Sequence, residues 1–270
     1  MAYKLLALDM DGTMLNSAKK ISPKTAAAIA ELSKSGVHVV VSTGRALAEL
    51  SDYKAEFKFM HYGIAISGGL VYDFFNAKPV AVHPVPENLM LKIIDAGTAE
   101  RAMIHLMGVH ESLMREDDIL NCADFQMSDY QEMYERISTR CDDFAAYIHS
   151  HPREIVKVNL YHRSPESRAR NFDRLKNLPL TLALAETTAL ESSPQNVTKA
   201  SGLRELCNFL GIDLSETIAV GDAPNDIEIL KTAGIAAVMG NAFAEIKALA
   251  DFVTDDNDHD GIVRVIQKFF

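Results

Sequence analysis

The sequence has little of what marks disulfide-rich, membrane or nucleic-acid-binding proteins. Its three cysteines, Cys122, Cys141 and Cys207, are an odd number without CxxC spacing, which indicates free thiols in a reducing compartment. It has no basic run, and 27 Lys and Arg against 37 Asp and Glu give a formal charge of −10. We therefore expect neither nucleic acid nor an anionic membrane as a partner. No apolar stretch approaches a membrane span, and the N-terminus has no signal-peptide pattern, so a cytoplasmic protein is expected.

The composition that remains is typical of a globular protein. Hydrophobic residues make up 48% of the 270 residues and charged residues make up 24%, which argues against a disordered chain. The length allows one large domain or two smaller ones. We interpret the acidic balance as favouring solubility.

The first signal of function is the segment Lys4–Thr13, where a short apolar run ends in Asp9 and Asp11, followed by Gly12. An apolar run of this length bounded by turn residues is typical of a buried strand. Carboxylates at the end of such a strand are costly unless something positive neutralises them. Because ligands bind at the carboxyl ends of strands in open α/β sheets, the segment predicts carboxylates that face a cation or a phosphate. A simple Asp-Gly turn is the alternative.

The residues that follow predict parallel strands joined by helices. Ser22 is a candidate N-cap for a helix at 24–35, and a β-branched strand at 37–41 comes next. This strand ends in Ser42-Thr43-Gly44-Arg45, and a second helix is predicted from there to about residue 57. Alternation of strand and helix is typical of a parallel sheet, whose strands present their carboxyl ends at one edge.

The same pattern returns in the last third of the chain. Thr198 is a candidate N-cap of a helix, and the strand at 217–220 ends in the acidic turn 221–226. The middle third mixes helices and strands without a Gly-rich loop or paired acids. We therefore predict an α/β fold, with a Rossmann-like parallel-sheet core at 1–83 and 191–270 and an inserted α+β domain at 84–190.

Polar clusters at the ends of three strands and one helix-start lysine form the candidate site: Asp9, Asp11, Thr43, Lys199, Asp222, Asn225 and Asp226. A site so rich in oxygen suits Mg²⁺ better than zinc. A dication, an ammonium and a hydroxyl together suit a phosphoryl group. One aspartate could act as the nucleophile, and a second carboxylate two residues on could transfer protons.

Four motifs in this order resemble those of the haloacid dehalogenase superfamily of phosphohydrolases. Asp9-Met10-Asp11-Gly12-Thr13 resembles the DxDGT motif, and Thr43, Lys199 and Gly221-Asp222-x-x-Asn225-Asp226 resemble the second, third and fourth motifs. The large insertion between the second and third motifs resembles the Cof-type group (subfamily IIB), which carries a C2B-type α/β cap over a Rossmann-like core. Asn196 stands where relatives commonly have glycine, and a left-handed asparagine could replace it at modest cost.

The resemblance implies which residues carry the reaction and hold the metal. Asp9 would be the nucleophile and an Mg²⁺ ligand. Asp11 would be the general acid and base and would reach the metal through its backbone carbonyl. Asp222 would complete the ligands, and Asp226 would lie in the second coordination sphere of the metal.

The resemblance also implies a phosphate-binding set. Thr43 and Lys199 would hold the phosphoryl group, with help from the backbone at Met10 and Gly44. Asn225 would contact the phosphate as well.

These roles predict an Mg²⁺-dependent phosphatase of small phosphorylated metabolites, with sugar phosphates favoured, that works through an aspartyl-phosphate. The cap would exclude water and supply specificity. Two alternatives stay open: a phosphomutase or phosphotransferase acting on sugar phosphates, and a non-catalytic metabolite-binding regulator. The expected partner is a small phosphorylated metabolite, and the chain is expected to be a monomer or a homodimer.

Overall fold

The computed structural model describes residues 3–54 and 57–270, which contain fourteen strands and ten α-helices. The strands are β1 (Leu5–Leu8), β2 (His38–Ser42), β3 (Tyr62–Ala65), β4 (Leu70–Asp73), β5 (Lys78–Val82), β6 (Met103–Gly108), β7 (Ser112–Met114), β8 (Thr139–Arg140), β9 (Ile155–Tyr161), β10 (Leu180–Ala185), β11 (Ala189–Pro194), β12 (Thr217–Gly221), β13 (Ile235–Val238) and β14 (Phe252–Val253). The helices are α1 (Pro23–Lys34), α2 (Glu87–Ala99), α3 (Glu116–Leu120), α4 (Gln131–Ile137), α5 (Phe144–Ser150), α6 (Pro165–Leu175), α7 (Lys199–Leu210), α8 (Ile227–Thr232), α9 (Ala244–Lys247) and α10 (Gly261–Phe269).

The chain divides into two compact units. The described residues of Met1–Gly44, Asp52–Ala81 and Thr198–Phe270 form the first, which we call the core unit. Arg45–Ser51 and Val82–Val197 form the second, which we call the inserted unit. The domain limits expected from the sequence, and the role of the middle third as a cap, stay predictions.

The core unit is built on an eight-stranded sheet in the order β14-β13-β12-β1-β2-β3-β4-β5. Strands β14 through β3 pair in parallel, whereas β3 and β4 are antiparallel. Strands β1 and β12 are buried along their whole length, which is why both are continuous apolar runs. The predicted α/β fold with a parallel-sheet core is confirmed.

Two helix starts follow the local signals in the sequence. The Ser22 side chain accepts a hydrogen bond from the Thr25 backbone N–H at the start of α1, and Thr198 caps α7 through the Ser201 N–H. These bonds satisfy backbone donors that have no partner within the helix. Asn196 has a φ of 65°, so the left-handed conformation expected of it is present.

The helix predicted from Arg45 to about residue 57 does not form as one α-helix. The chain there makes 3-10 turns at Ala48–Tyr53 and Phe57–Phe59, and residues 55–56 lie outside the described residues. The buried Glu49 carboxylate accepts the Ala46 N–H at 2.5 Å. The first turn is thus stabilised by a local side-chain bond of the kind that competes with regular helix.

The inserted unit contains a six-stranded sheet in the order β10-β11-β9-β6-β7-β8. Antiparallel pairing joins β10 to β11, β11 to β9, and β9 to β6. Side chains from one face of β6, β9 and β11 form an apolar core with residues of α2, α5 and α6. Among the described helices of both units, none combines the length and the apolar character needed to cross a bilayer.

Candidate active site

The parallel register brings the first and last acidic motifs to one edge of the core sheet. Leu8 pairs with Val220, and the Asp9 N–H donates to the Val220 carbonyl at 2.9 Å. Asp9 and Asp222 each follow the end of their strand. The Thr13 hydroxyl donates to Asp222 Oδ1 at 2.7 Å and joins the two motifs across 209 positions of sequence.

Lys199 links two of the carboxylates. Its Nζ donates to Asp9 Oδ1 at 2.5 Å and to Asp226 Oδ1 at 2.7 Å. The lysine is 2% exposed, Asp9 is 5% exposed and Asp226 is fully buried. A charge this deeply buried requires a paired charge, and both carboxylates meet that requirement.

A close backbone contact positions the helix that carries Lys199. Gly68 has a φ of +93°, and a Cβ atom there would lie 1.9 Å from the Thr198 carbonyl oxygen. Only glycine permits this approach, because any side chain would push back the residue that caps α7. The turn after β3 therefore fixes the position of the first residue of α7, which is Lys199.

Burial and mutual repulsion perturb the titration of the cluster. Burial, followed by the Asp226 charge, raises the pKa of Asp9 well above its ordinary value, although Lys199 acts to lower it. Burial also raises the pKa of Asp222 to about 6, against the opposing Thr13 hydrogen bond. For Lys199, burial acts to lower the pKa, but the charges of Asp226 and Asp9 outweigh it and the pKa is raised.

The donor set fits a hard dication. Oxygen atoms of Asp9, Asp222 and Asp226 lie within 4.8 Å of one another. Three carboxylates share one lysine, so the cluster has more negative than positive charge. Burial, with a smaller contribution from the neighbouring carboxylates, raises the pKa values of Asp9 and Asp222, so their ionisation in the fold costs free energy. A divalent cation with oxygen preference would remove that cost.

Both oxygens of the Asp226 carboxylate already accept hydrogen bonds from the protein. Its Oδ1 accepts the Lys199 ammonium, and its Oδ2 accepts the backbone N–H groups of Asp222 and Ala223 at 3.1 and 3.2 Å. This carboxylate therefore holds the turn after β12 in shape. The arrangement is compatible with the predicted position of Asp226 outside the direct ligands of a metal.

Asp11 lies in a more exposed position than Asp9. Its Oδ1 accepts the Lys19 ammonium at 2.9 Å, and its side chain is 39% exposed. Gly12, the next residue, has a φ of +77°, and a Cβ atom there would lie 2.4 Å from Asp222 Oδ2. Glycine at this position lets the first motif turn directly beside Asp222.

The predicted phosphate-binding residues differ in burial. Thr43 is 2% exposed; its N–H donates to the Ile64 carbonyl, and its own carbonyl accepts the Ser67 N–H. The register of β1 and β2 places Thr43 and Gly44 at the same sheet edge as Asp9, and Met10 is fully buried. Asn225 is exposed in the turn after β12.

The structure adds residues that the sequence reasoning did not assign to the site. Thr13 and Lys19 contact Asp222 and Asp11, as described above. Asn241 donates from Nδ2 to the Gly12 carbonyl at 2.8 Å. Asn241 follows the end of β13, so the rule that ligands gather at the carboxyl ends of parallel strands could have identified it.

Comparison with known proteins identifies a family and a shared fold. The model of the haloacid dehalogenase-like hydrolase family matches residues 6–266. The chain is 29% identical to the Bacillus subtilis 5-amino-6-(5-phospho-D-ribitylamino)uracil phosphatase YcsE, over 98% of this chain and 95% of that protein. The fold is shared with a haloacid dehalogenase-like hydrolase from B. subtilis, at a TM-score of 0.88 and 24% identity, with 99% of this chain and 100% of the other covered.

A second solved structure has the same fold at lower identity. It is the HAD subclass IIB sugar phosphatase BT4131, which matches at a TM-score of 0.82 and 20% identity, with 98% of each chain covered. The family expected from the four motifs is confirmed, because its model spans nearly the whole chain. This protein therefore belongs to the haloacid dehalogenase-like hydrolase family.

Proposed function

We propose that the protein is an Mg²⁺-dependent phosphatase of small phosphorylated metabolites that works through an aspartyl-phosphate. The observation that carries this proposal is the buried Asp9 carboxylate, which is held by Lys199 inside a cluster of three acids. A nucleophile with a fixed cationic partner is suited to attack phosphorus. The excess of negative charge in the cluster supports the cofactor.

In the proposed first step, Asp9 attacks the phosphorus atom and the bond to the ester oxygen breaks. Asp11 gives its proton to that oxygen as the alcohol leaves, and its position at the exposed rim of the cluster suits this exchange. In the second step, Asp11 takes a proton from water, which attacks the phosphorus and releases Asp9 and phosphate. Lys199 and Thr43 hold the phosphoryl oxygens throughout.

Asp9, the Asp11 carbonyl and Asp222 would hold Mg²⁺ in this proposal, and the ion would neutralise charge on the phosphoryl group. Asp226 would support the set from the second coordination sphere, through its bonds to Lys199 and to the backbone of the turn. Asn225, Met10 and Gly44 complete the proposed phosphate contacts through a side chain and two backbone groups.

The substrate we favour is a sugar or polyol phosphate. YcsE, 29% identical over nearly the whole chain, is named for a substrate that carries a phosphorylated ribityl chain. A hydroxylated chain with a terminal phosphate is thus part of the substrate for which this relative is named. A cytoplasmic location and a monomeric or homodimeric state are part of the same proposal.

The decisive variant is Asp9→Asn, with Asp129→Asn as a control at an exposed aspartate. We expect Asp9→Asn to lower magnesium-dependent hydrolysis of p-nitrophenyl phosphate by about 10⁴-fold, because an amide is a poor nucleophile. Circular dichroism should show an intact fold for both variants. Near wild-type turnover by Asp9→Asn would disprove the nucleophile.

Analysis of the products formed from a sugar phosphate separates the alternatives. A hydrolase releases inorganic phosphate from a sugar phosphate in step with substrate loss. A phosphomutase or phosphotransferase would instead yield a second phosphorylated sugar when an acceptor sugar is present. A non-catalytic regulator would turn over neither substrate at any magnesium concentration.

A further inference from the structure

The turn between β3 and β4 has an uncommon backbone conformation. Ile66, Ser67 and Gly68 have φ values of 50°, 55° and 93°, so three consecutive residues are in the left-handed region. Glycine adopts this region freely, whereas a β-branched residue such as isoleucine rarely does, because its side chain collides with the backbone. Among the residues that the structure describes, Ile66 is the one β-branched residue with a positive φ.

The sequence of this turn does not account for its conformation. The turn is a four-residue hairpin loop, since Ala65 pairs with Leu70 across the antiparallel strands on either side. Hairpin loops of this length are most often built around a type I turn, whose central residues are right-handed. Strained backbone of this kind persists only where surrounding contacts enforce it, and it is common at functional sites.

One set of contacts joins the turn to the end of β2. The Thr43 N–H donates to the Ile64 carbonyl at 2.8 Å, and the Ser67 N–H donates to the Thr43 carbonyl at 2.9 Å. Both backbone groups of Thr43 are therefore bonded to the segment that contains β3 and the turn. A change in the backbone at Ser67 would move the residue that we propose holds the phosphoryl group.

A second set of contacts joins the turn to the start of α7. A Cβ atom at Gly68 would lie 1.9 Å from the Thr198 carbonyl oxygen, as described above. In the first turn of α7, a Cβ atom at Gly202 would lie 2.6 Å from Ile64 Cγ2 and 3.3 Å from Gly68 Cα. Glycine at both positions lets the helix lie directly against the turn. The turn thus contacts Thr43 and also the residue immediately before Lys199.

We propose that the left-handed turn 66–68 is a positioning element that sets the distance between Thr43 and Lys199. This inference rests on the proposed phosphatase function, in which these two residues hold the phosphoryl oxygens, and adds to it the residues that keep the phosphate site in shape. A displacement of about 1 Å in such a site can lower the rate about 100-fold. The strained backbone at Ile66 and Ser67 is retained because its shape sets that distance.

Gly68→Ala is the test, and Gly36→Ala is the matched control. Gly36 has a φ of +94°, and nothing lies within 4 Å of a Cβ atom there. The two substitutions impose nearly the same backbone strain, but only Gly68→Ala pushes against Thr198. At saturating Mg²⁺ we expect Gly68→Ala to lower kcat/KM for p-nitrophenyl phosphate about 100-fold and to raise the inhibition constant of inorganic phosphate about 10-fold. Gly36→Ala should leave both within about 2-fold.

Ser67 tests the turn without adding an atom against α7. Asparagine tolerates the left-handed conformation, whereas valine does not. Ser67→Asn should therefore keep the inhibition constant of phosphate within about 2-fold, and Ser67→Val should raise it about 10-fold. Ala77→Val is the control, because Ala77 has a φ of 50° in the exposed turn between β4 and β5 and should lose stability alone. These variants also serve if Gly68→Ala does not fold.

A double-mutant cycle tests whether the turn acts through the phosphate contacts. Thr43→Ala and Gly68→Ala should each weaken phosphate inhibition. When the two are combined, the fold-losses should not multiply, because a displaced site has already lost the Thr43 contact. A turn that only stabilised the fold would give losses that multiply.

Three outcomes would overturn the inference while leaving the proposed function in place. The first is an equal inhibition constant of phosphate in Gly68→Ala and Gly36→Ala. The second is an equal loss in Ser67→Asn and Ser67→Val, which would indicate a role for the hydroxyl and not for the backbone. The third is a set of losses for Thr43→Ala and Gly68→Ala that multiply. A wild-type protein that hydrolyses no phosphate ester would instead disprove the proposed function, and this inference with it.

Discussion

Asp222→Asn should stabilise the metal-free protein even though it removes a proposed metal ligand. Burial raises the pKa of Asp222 from 3.8 to about 6, so its ionised form is disfavoured in the fold. A shift of this size corresponds to about 3 kcal/mol at neutral pH, and partial exposure of the side chain reduces the effect to about 1–2 kcal/mol. The variant can still accept the Thr13 hydroxyl at 2.7 Å, so little packing is lost.

The gain should depend on pH with a defined sign. The pKa of Asp222 is higher in the folded state than in the unfolded chain, so the carboxylate destabilises the fold above about pH 6 and has no effect below its ordinary value of 3.8. The difference in free energy of unfolding between Asp222→Asn and wild type should therefore shrink to nothing as the pH falls through this window. Urea denaturation in EDTA, followed by circular dichroism, measures it.

Magnesium should reverse the order of stability. A cation that binds only the folded state stabilises it in proportion to the logarithm of its concentration over Kd. Wild type should gain stability with added Mg²⁺, and Asp222→Asn should gain much less and show no phosphatase activity. The reasoning is refuted if Asp222→Asn is less stable than wild type in EDTA at about pH 7, or if magnesium stabilises both proteins equally.

Two further predictions concern Gly12 and Glu100. Gly12→Ala should weaken Mg²⁺ binding about 10-fold in calorimetry, because its Cβ would displace Asp222. Gly36→Ala is the control. Gly36 has a φ of +94° and nothing lies within 4 Å of a Cβ atom there, so this variant should lose only stability. Equal Mg²⁺ affinity in the two variants would contradict this. In the inserted unit, hydrogen bonds from Arg170 lower the pKa of Glu100 from 4.5 to about 2. The Glu100 carboxylate therefore stabilises the fold above pH 4.5, and this stabilisation is lost as the pH falls towards 2. Glu100→Gln should cost about 1 kcal/mol at neutral pH and nothing at about pH 2; a difference that does not change with pH would argue against this role.

Local signals in the sequence were sufficient for much of the core unit. Ser22 and Thr198 cap helices as predicted, because a side-chain oxygen three residues before a free N–H is a local property. The buried strands β1, β2 and β12 could be read from their apolar runs. The segment after Gly44 was predicted incorrectly as one helix, since a buried carboxylate at Glu49 caps a 3-10 turn there and burial is not visible locally.

The four motifs are an extreme case of what sequence alone can predict. Asp9, Thr43 and Asp222 could be assigned to one sheet edge, because strands that pair in parallel must present their carboxyl ends together. Lys199, which begins α7, was assigned through the order of the motifs. The family followed from their order. The residues that carry the chemistry directly follow strands that can be recognised in the sequence, so their positions can be predicted from the sequence as well.

Only the tertiary structure decided which of these residues touch. The Lys199 ammonium joins Asp9, 190 positions away, to Asp226, and Thr13 holds Asp222 from the opposite end of the chain. In the inserted unit, His105 and Glu191 both pair with Asn159 through strands that are not consecutive in the chain, and no local pattern specifies that register. Side-chain distances and burial arise from this packing, so the shifted pKa values and the excess of negative charge in the acidic cluster appear only in three dimensions.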